Sequence, residues 1–256
     1  MKKIYISLLL VFALLTGCSQ PAKTDASSNP NQLKALTNAE FPPFESQTGD
    51  QKIVGFDADI LNALSQAGGF QTTLKHTGFD GIFEGIDRGK ANMGIAAITI
   101  TEERKQKYDF SDPYFDAKQV ILLPANSPVK TLKELNGKKI GVQQSTTGET
   151  VVQNAFGKTY ANLKGYDAIP SAIDDLKLGR LDAVVVDDAV VKDYLKKLGS
   201  NDFKLVEDPS IPVEQYGIAV KKGDKATLDK INAGLKKIKE DGTYQKIYDQ
   251  YFKMTP

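Results

Sequence analysis

Three short runs concentrate the residues able to bind or transform a small molecule. Thr99-Ile100-Thr101-Glu102-Glu103-Arg104-Lys105 sets one arginine among two acids and two hydroxyls. Asp182-Ala183-Val184-Val185-Val186-Asp187-Asp188 ends an apolar stretch on a pair of carboxylates. Gln143-Gln144-Ser145-Thr146-Thr147-Gly148 offers amides and hydroxyls where a helical pattern begins, and helix-start N–H groups favour an anion. The planar fork of an arginine holds a carboxylate through two charge-assisted bonds, and an aspartate suits an ammonium group. Each residue also has an ordinary reading. Arg104 in so charged a stretch would pair with Glu102 or Glu103 at the surface, and Asp187, Asp188, Thr146 or Thr147 would cap a helix. Pro42 and Pro43 stiffen a loop between Phe41 and Phe44, just after Asn38 and Glu40, and Phe79 lies in Gly78-Phe79-Asp80-Gly81. A lone phenylalanine is more often core than site.

The rest of the inventory argues against most enzyme mechanisms. One Cys and one His among 256 residues exclude a disulfide framework and a Cys/His zinc site. His76, in a strand-like stretch, reads as structural or surface. No G-x-x-x-x-G-K run occurs, so ATP hydrolysis is not expected of this chain, and no cofactor is expected. With 33 Lys+Arg against 32 Asp+Glu the net charge is +1, which gives no general attraction to nucleic acid or acidic membranes. A chain that is 41% hydrophobic and 25% charged folds, and its length suits one large domain or two small ones.

Residues 1–17 read as a secretory signal. Lys2 and Lys3 precede an apolar run from Ile4 to Leu15, which is shorter than the ~20 residues that span a bilayer. Leu15-Thr16-Gly17-Cys18 resembles the lipobox of bacterial lipoproteins, which implies lipidation of Cys18 after cleavage. Residues 18–32, poor in large apolar side chains, read as a flexible tether. From Leu33 onward, apolar runs alternate with amphipathic segments, the pattern of an α/β fold. Strands are expected at Leu33–Thr37, Gln71–Lys75, Met93–Ile98, Gln119–Leu123, Lys139–Val142, Ala183–Val186 and Tyr216–Val220. Helices are expected near Asp57–Ala67, Asp80–Arg88, Leu132–Leu135, Thr147–Phe156, Ser171–Leu178, Ala189–Leu198, Lys225–Lys239 and Tyr244–Phe252. Gly89-Lys90-Ala91-Asn92-Met93-Gly94-Ile95 is echoed ninety residues later by Gly179-Arg180-Leu181-Asp182-Ala183-Val184-Val185. Any αβ junction shares part of this pattern; the sharper reading is two similar lobes, with Ala97 and Asp187 both at carboxyl ends of strands, where open α/β sheets bind ligands.

Two longer runs, Thr99 to Lys105 and Tyr108-Asp109-Phe110-Ser111-Asp112-Pro113-Tyr114, resemble the polar amino-acid family of bacterial solute-binding proteins, the receptors of ABC importers. Gly55-Phe56-Asp57, Gln215 to Val220 and Asp241 to Tyr248 add to the resemblance, which covers residues 33–253 and looks nearest the glutamine- and arginine-binding branch. It implies a two-lobed, type II periplasmic-binding-protein fold crossed twice by the chain. Lobe one would comprise residues 33–116 and 217–256, and lobe two residues 117–216. The implied partners are an L-amino acid, a membrane permease and its separate ATPase subunit, on the outer face of a membrane.

The resemblance also implies roles. Arg104 and Thr99 would hold the ligand carboxylate with the N–H groups of Thr147 and Gly148, and Asp187 with the Ala97 carbonyl would take the ammonium. Phe41 and Phe79 would sandwich the aliphatic part, and Asn38, Ile98 and Gln143 would complete the site. Relatives often carry Asp where this chain has Asn38. An amide there and at Gln143 favours glutamine over arginine as ligand, although Glu40 or another acid could meet a guanidinium. Two further readings are a basic amino-acid receptor and, from another class, a dehydratase-like enzyme on the same scaffold. A sensory domain fused to a membrane span is disfavoured, since no later apolar segment is long enough.

Overall fold

The computed structural model describes residues 31–199 and 201–253. The expected signal segment, Cys18 and the tether up to residue 30 lie outside the described residues. In chain order come β1 (Gln32–Thr37), β2 (Glu40–Phe41), β3 (Glu45–Gln47), β4 (Ile53–Val54) and α1 (Phe56–Gly68). Next are β5 (Gln71–His76), α2 (Phe79–Asp87), β6 (Met93–Gly94), α3 (Glu102–Lys107), β7 (Tyr108–Phe110) and β8 (Phe115–Pro124). After a short 3-10 helix at Leu132–Leu135 follow β9 (Ile140–Gln143), α4 (Thr147–Phe156), β10 (Leu163–Tyr166) and α5 (Ile169–Lys177). The chain closes with β11 (Ala183–Asp187), α6 (Asp188–Leu198), β12 (Phe203–Val206), β13 (Val213–Tyr216), β14 (Ala219–Lys221), α7 (Lys225–Glu240) and α8 (Thr243–Phe252).

The strands build two large sheets on one plan and a small third sheet of order β2-β3-β4. The first has the order β5-β1-β6-β14-β7 and the second β10-β9-β11-β8-β12. In each, a central strand runs parallel to both neighbours, β1 between β5 and β6, β9 between β10 and β11. In each, the next strand is antiparallel, β14 on β6 and β8 on β11. This is the two-lobed α/β architecture that the resemblance implies. The echo at ninety residues has a structural counterpart. Gly89 and Gly179 take φ of 66° and 68° where α2 and α5 end. Asn92 then bonds Lys34 through both its backbone N–H and its side-chain oxygen, each at 2.8 Å, and Asp182 does the same with Lys139. In both lobes a short side chain clamps the incoming strand to its neighbour.

The apolar periodicity of α1 explains its place. Phe56, Ile60, Leu61 and Leu64 are each no more than 1% exposed, and burying such side chains stabilises the fold by ~1.5–3 kcal/mol apiece. Gly69, at φ 70°, ends the helix. Its start is fixed from outside: Phe56 and Asp57 donate their N–H groups to the carbonyls of Pro43 and Phe44, at 3.0 and 2.9 Å. Gly55 makes that approach possible, with φ 131° and no room for a Cβ, which would stand 2.2 Å from the Phe44 oxygen.

Several boundaries differ from expectation, for local reasons. β1 begins at Gln32, one residue inside the expected tether, because Gln32 pairs with Gln71. The expected strand Met93–Ile98 leaves the sheet after Gly94, since Ala97 turns to φ 47° and gives its N–H to Asp57. Tyr216–Val220 is two strands, β13 pairing with β8 and β14 with β6 and β7. α3 was not expected; it has no buried residue, so no apolar stripe marks it. Short strands β2, β3, β4, β7, β10, β12 and β13 are likewise too brief to show a clear alternation.

Candidate functional site

Ligands of open α/β sheets sit at the carboxyl ends of strands where the strand order reverses. Those points here fall between β1 and β6 and between β9 and β11. Nine of the eleven residues expected at the site line one cavity between them. Gly148 does not line it, but it lets α4 approach the second sheet: a Cβ there would stand 3.0 Å from both Gln119 Oε1 and the Val185 carbonyl. Ile98 is a correction. Its side chain is buried with Ile82 and Ile86, because the reversal at Ala97 turns it away from the cavity, and its carbonyl accepts from Gly217 N–H at 3.0 Å.

Ala97 is held in its left-handed conformation by Asp57. Asp57 Oδ2 accepts from the Ala97 N–H at 2.8 Å and from the Tyr114 hydroxyl at 2.9 Å. Glu45, also buried, interacts with Asp57 and lines the cavity. Burial pushes both carboxyls up, Asp57 to about 6 and Glu45 well above the usual glutamate range, because Glu45 also faces the Asp57 charge. Neither residue was singled out from sequence, although Asp57 stands in one of the runs that carry the resemblance, Gly55-Phe56-Asp57.

Arg104 is not engaged as a surface ion pair. Glu102 pairs with Lys105 at 2.9 Å, and the Thr101 hydroxyl accepts the Arg104 N–H at 3.1 Å at the start of α3. The guanidinium donates to the Thr99 carbonyl at 2.8 Å and, from Nη2, to the Ser145 carbonyl at 2.9 Å, which ties the two lobes. It lies 5.5 Å from the ring centres of Phe79 and Phe83. Burial lowers its pKa, opposed by the nearby charges of Glu214 and Asp187.

Asp187 faces it from the second sheet. Its side chain makes no capping bond to α6, and Oδ1 accepts from the Tyr216 hydroxyl at 2.5 Å. Asp188 instead pairs with Lys192 at 2.5 Å. Burial raises the Asp187 pKa to about 7, against the Tyr216 bond, and the charge of Glu214 adds to the rise. Thr146, at the cap of α4, donates its hydroxyl to the Gln143 carbonyl, so no side chain caps the first N–H groups of that helix.

Glu214, on β13, is the residue that sequence reading missed most completely. Its Oε2 accepts from the Thr147 hydroxyl at 2.8 Å, the Thr99 hydroxyl at 3.1 Å and Gln119 Nε2 at 3.3 Å. The signal available was only its place beside Gln215-Tyr216-Gly217. At the other end, Gln143 Nε2 gives its two protons to Asn38 Oδ1 at 2.8 Å and the Asp167 carbonyl at 3.0 Å. Asn38 Nδ2 gives its two to the Thr77 carbonyl at 3.2 Å and Glu40 at 3.4 Å. His76 has a structural role, accepting the Ala39 N–H through Nδ1 at 3.0 Å. Among the described residues no group of His, Cys, Asp or Glu could hold a metal ion, and no helix is long and apolar enough to cross a membrane.

This geometry has close counterparts. The family model for bacterial extracellular solute-binding proteins, family 3, matches residues 33–254. A probable histidine-binding protein of Neisseria gonorrhoeae is 39% identical over 98% of this chain and 96% of its own. The arginine-, lysine-, histidine-binding protein ArtJ of Geobacillus stearothermophilus superposes with a TM-score of 0.84, at 41% identity, over 88% of this chain and 96% of that one. An ancestral arginine-binding protein bound to arginine superposes at 0.82 with 42% identity, over 87% and 98%; its glutamine-bound structure gives 0.81 with 42% identity, over 88% and 99%.

Proposed function

The chain belongs to the bacterial extracellular solute-binding proteins, family 3, and on that premise we propose that it is the amino-acid receptor of an ABC importer. It binds one L-amino acid between lobe one, residues 33–116 with 217–256, and lobe two, residues 117–216, and passes it to a membrane permease served by a separate ATPase. Lipidation at Cys18, after removal of residues 1–17, would hold it to the outer face of a membrane. The observation that carries the reading is the placement of Arg104 and Asp187 on opposite walls of one cavity, a cation and an acid facing the space for a zwitterion. Arg104 takes the carboxylate, and Asp187 with the Ala97 carbonyl takes the ammonium.

For the side chain, the geometry favours a guanidinium over the amide suggested by the sequence. The four amide protons of Asn38 and Gln143 are all spent within the protein, so this end keeps only acceptor oxygens. Arginine offers five donors and no acceptor, whereas glutamine needs a donor for its carbonyl. The relatives named above bind histidine, arginine and lysine, with glutamine in the ancestral protein, in keeping with arginine first and glutamine second.

A thermal-shift screen of the twenty amino acids on the purified protein tests this. L-Arginine should raise the melting temperature most, since a ligand at a hundred times its Kd stabilises by ~2.7 kcal/mol. Arg104→Ala should remove the shift, and the ligand should be recovered chemically unchanged, as transport and not catalysis requires. A larger shift with glutamine would reverse the side-chain assignment, and no shift with any amino acid would reject the receptor.

A further inference from the structure

Three buried oxygens beside the cavity have no hydrogen-bond donor among the described residues: both carboxyl oxygens of Glu45, and Asp57 Oδ1. They lie together. The Asp57 N–H donates to the Phe44 carbonyl at 2.9 Å, which sets the start of α1 against the start of β3 and brings the two carboxyls within hydrogen-bond reach. Glu45 is 1% exposed and Asp57 0%, and no cationic side chain bonds either. Two adjacent anions cannot persist there, because neither water nor a cation offsets their desolvation and each repels the other. The two acids are not equivalent. Asp57 Oδ2 accepts from the Ala97 N–H and the Tyr114 hydroxyl, and Asp57 stands in the first turn of α1, where an anion is favoured. Glu45 accepts no bond. The charge therefore belongs on Asp57 and a proton on Glu45.

We propose that Glu45 is a positioning residue that holds one proton between itself and Asp57 Oδ1, and that this proton locks the support of Ala97 on the cavity wall. A single O–H···O bond gives Glu45 and Asp57 Oδ1 a partner at once. The second Glu45 oxygen stays a neutral carbonyl, far cheaper to bury than a charge. Burial accordingly pushes both carboxyls up, and the Asp57 charge adds to the rise at Glu45. Tyr114 is the other titratable group that faces the pair, and burial with the charges of the two acids keeps its hydroxyl protonated. The chain of support runs from Glu45 through Asp57 to the Ala97 N–H, and Glu45 and Ala97 both line the cavity. This bond forms whatever ligand the cavity takes.

Carbon-13 spectroscopy of the ligand-free protein, labelled at its glutamate carboxyls, reads the proton directly. Glu45 is the one buried glutamate among the described residues. One glutamate signal should therefore keep the position of a neutral acid at pH 7, and Glu45→Gln should delete it. As pH is raised further, the backbone amide signal of Ala97 should shift with the same midpoint as that carboxyl. Over the same range it should stay level in Glu45→Gln, whose amide donates to Asp57 without titrating. Urea unfolding gives the linked stability. Glu45 ionises near 4.5 in the unfolded chain but keeps its proton in the fold, so rising pH favours the unfolded wild type. The variant escapes that loss, and should gain on the wild type by up to about tenfold in the unfolding equilibrium per unit above pH 4.5. Wild-type glutamate carbons that have all ionised by pH 7 would overturn the proposal without need of a folded variant. An Ala97 signal that ignores the carboxyl titration would sever the pair from the cavity wall and overturn it as well.

Discussion

Asp187 has few ways to stay ionised inside the molecule. It is 7% exposed, and the Tyr216 hydroxyl offsets burial only in part, so its pKa stands at about 7. The neutral form is therefore favoured below pH 7 in the ligand-free protein, whereas a ligand ammonium favours the anion and draws the pKa down. Binding should then release protons below and around pH 7. Affinity should rise with pH, by up to about tenfold per unit well below pH 7, and level off above it. Calorimetry in buffers of different ionisation enthalpy measures this directly; heats that do not depend on the buffer would contradict the role given to Asp187. The same raised pKa predicts the opposite trend for the unliganded fold. Its stability contribution is present while Asp187 is protonated and is lost as pH climbs from the unfolded value near 3.8 towards 7.

At the scale of elements, the site is only as good as the start of α1. Gly55 lets the helix meet the Pro43 and Phe44 carbonyls, the helix start fixes Asp57, and Asp57 holds the backbone turn at Ala97, which lines the cavity. Gly55→Ala forces a Cβ against the Phe44 oxygen in a backbone conformation that side chains avoid. It should cost ~2–3 kcal/mol of stability by urea unfolding and weaken ligand binding beyond that loss. An unchanged unfolding midpoint would show that the loop yields freely. This linkage spans forty residues and none of it follows from local pattern. By contrast, α1 itself was legible because its large apolar residues Phe56, Ile60, Leu61 and Leu64 fall on one face, and the junctions at Gly89 and Gly179 were legible because glycine and a short polar residue must recur wherever such a helix feeds such a strand.

At the scale of the whole molecule, a few polar contacts join the two lobes beside their apolar packing. Gln143 to Asn38 and Arg104 to the Ser145 carbonyl both cross the cleft. A ligand that engages Arg104 and Asp187 together adds bonds that exist only when the lobes are closed, and so shifts the population towards that state. Removing one internal contact should leave the ligand-free protein more open. Small-angle scattering should give a larger radius of gyration for Gln143→Ala than for the wild type, with saturating L-arginine narrowing the gap. Equal radii without ligand would mean that the crossing strands β8 and β13, and the aromatic cluster of Phe44, Phe115, Tyr216 and Phe252 beside them, set the lobe angle alone.

The amino-acid sequence by itself determined the alternation of strands and helices, the two similar lobes, and the charged and aromatic residues at the ends of their strands. Those are local matters: apolar spacing selects an element, and turn chemistry ends it. Asn38 and Asp187 sit at or beside such an end and Thr147 at a helix start, whereas Arg104, inside α3, could be named only through the motif that carries the family resemblance. Tertiary structure decided which protons remain free once they meet. Gln143 and Asn38 satisfy each other and lose their donors, Thr99 and Thr147 surrender theirs to an acid on a distant strand, and Asp57 reverses the chain at Ala97. Hydrogen bonds of that kind join residues far apart in the chain, so no spacing encodes them, and the polarity of the cavity emerges only when the lobes are folded against each other.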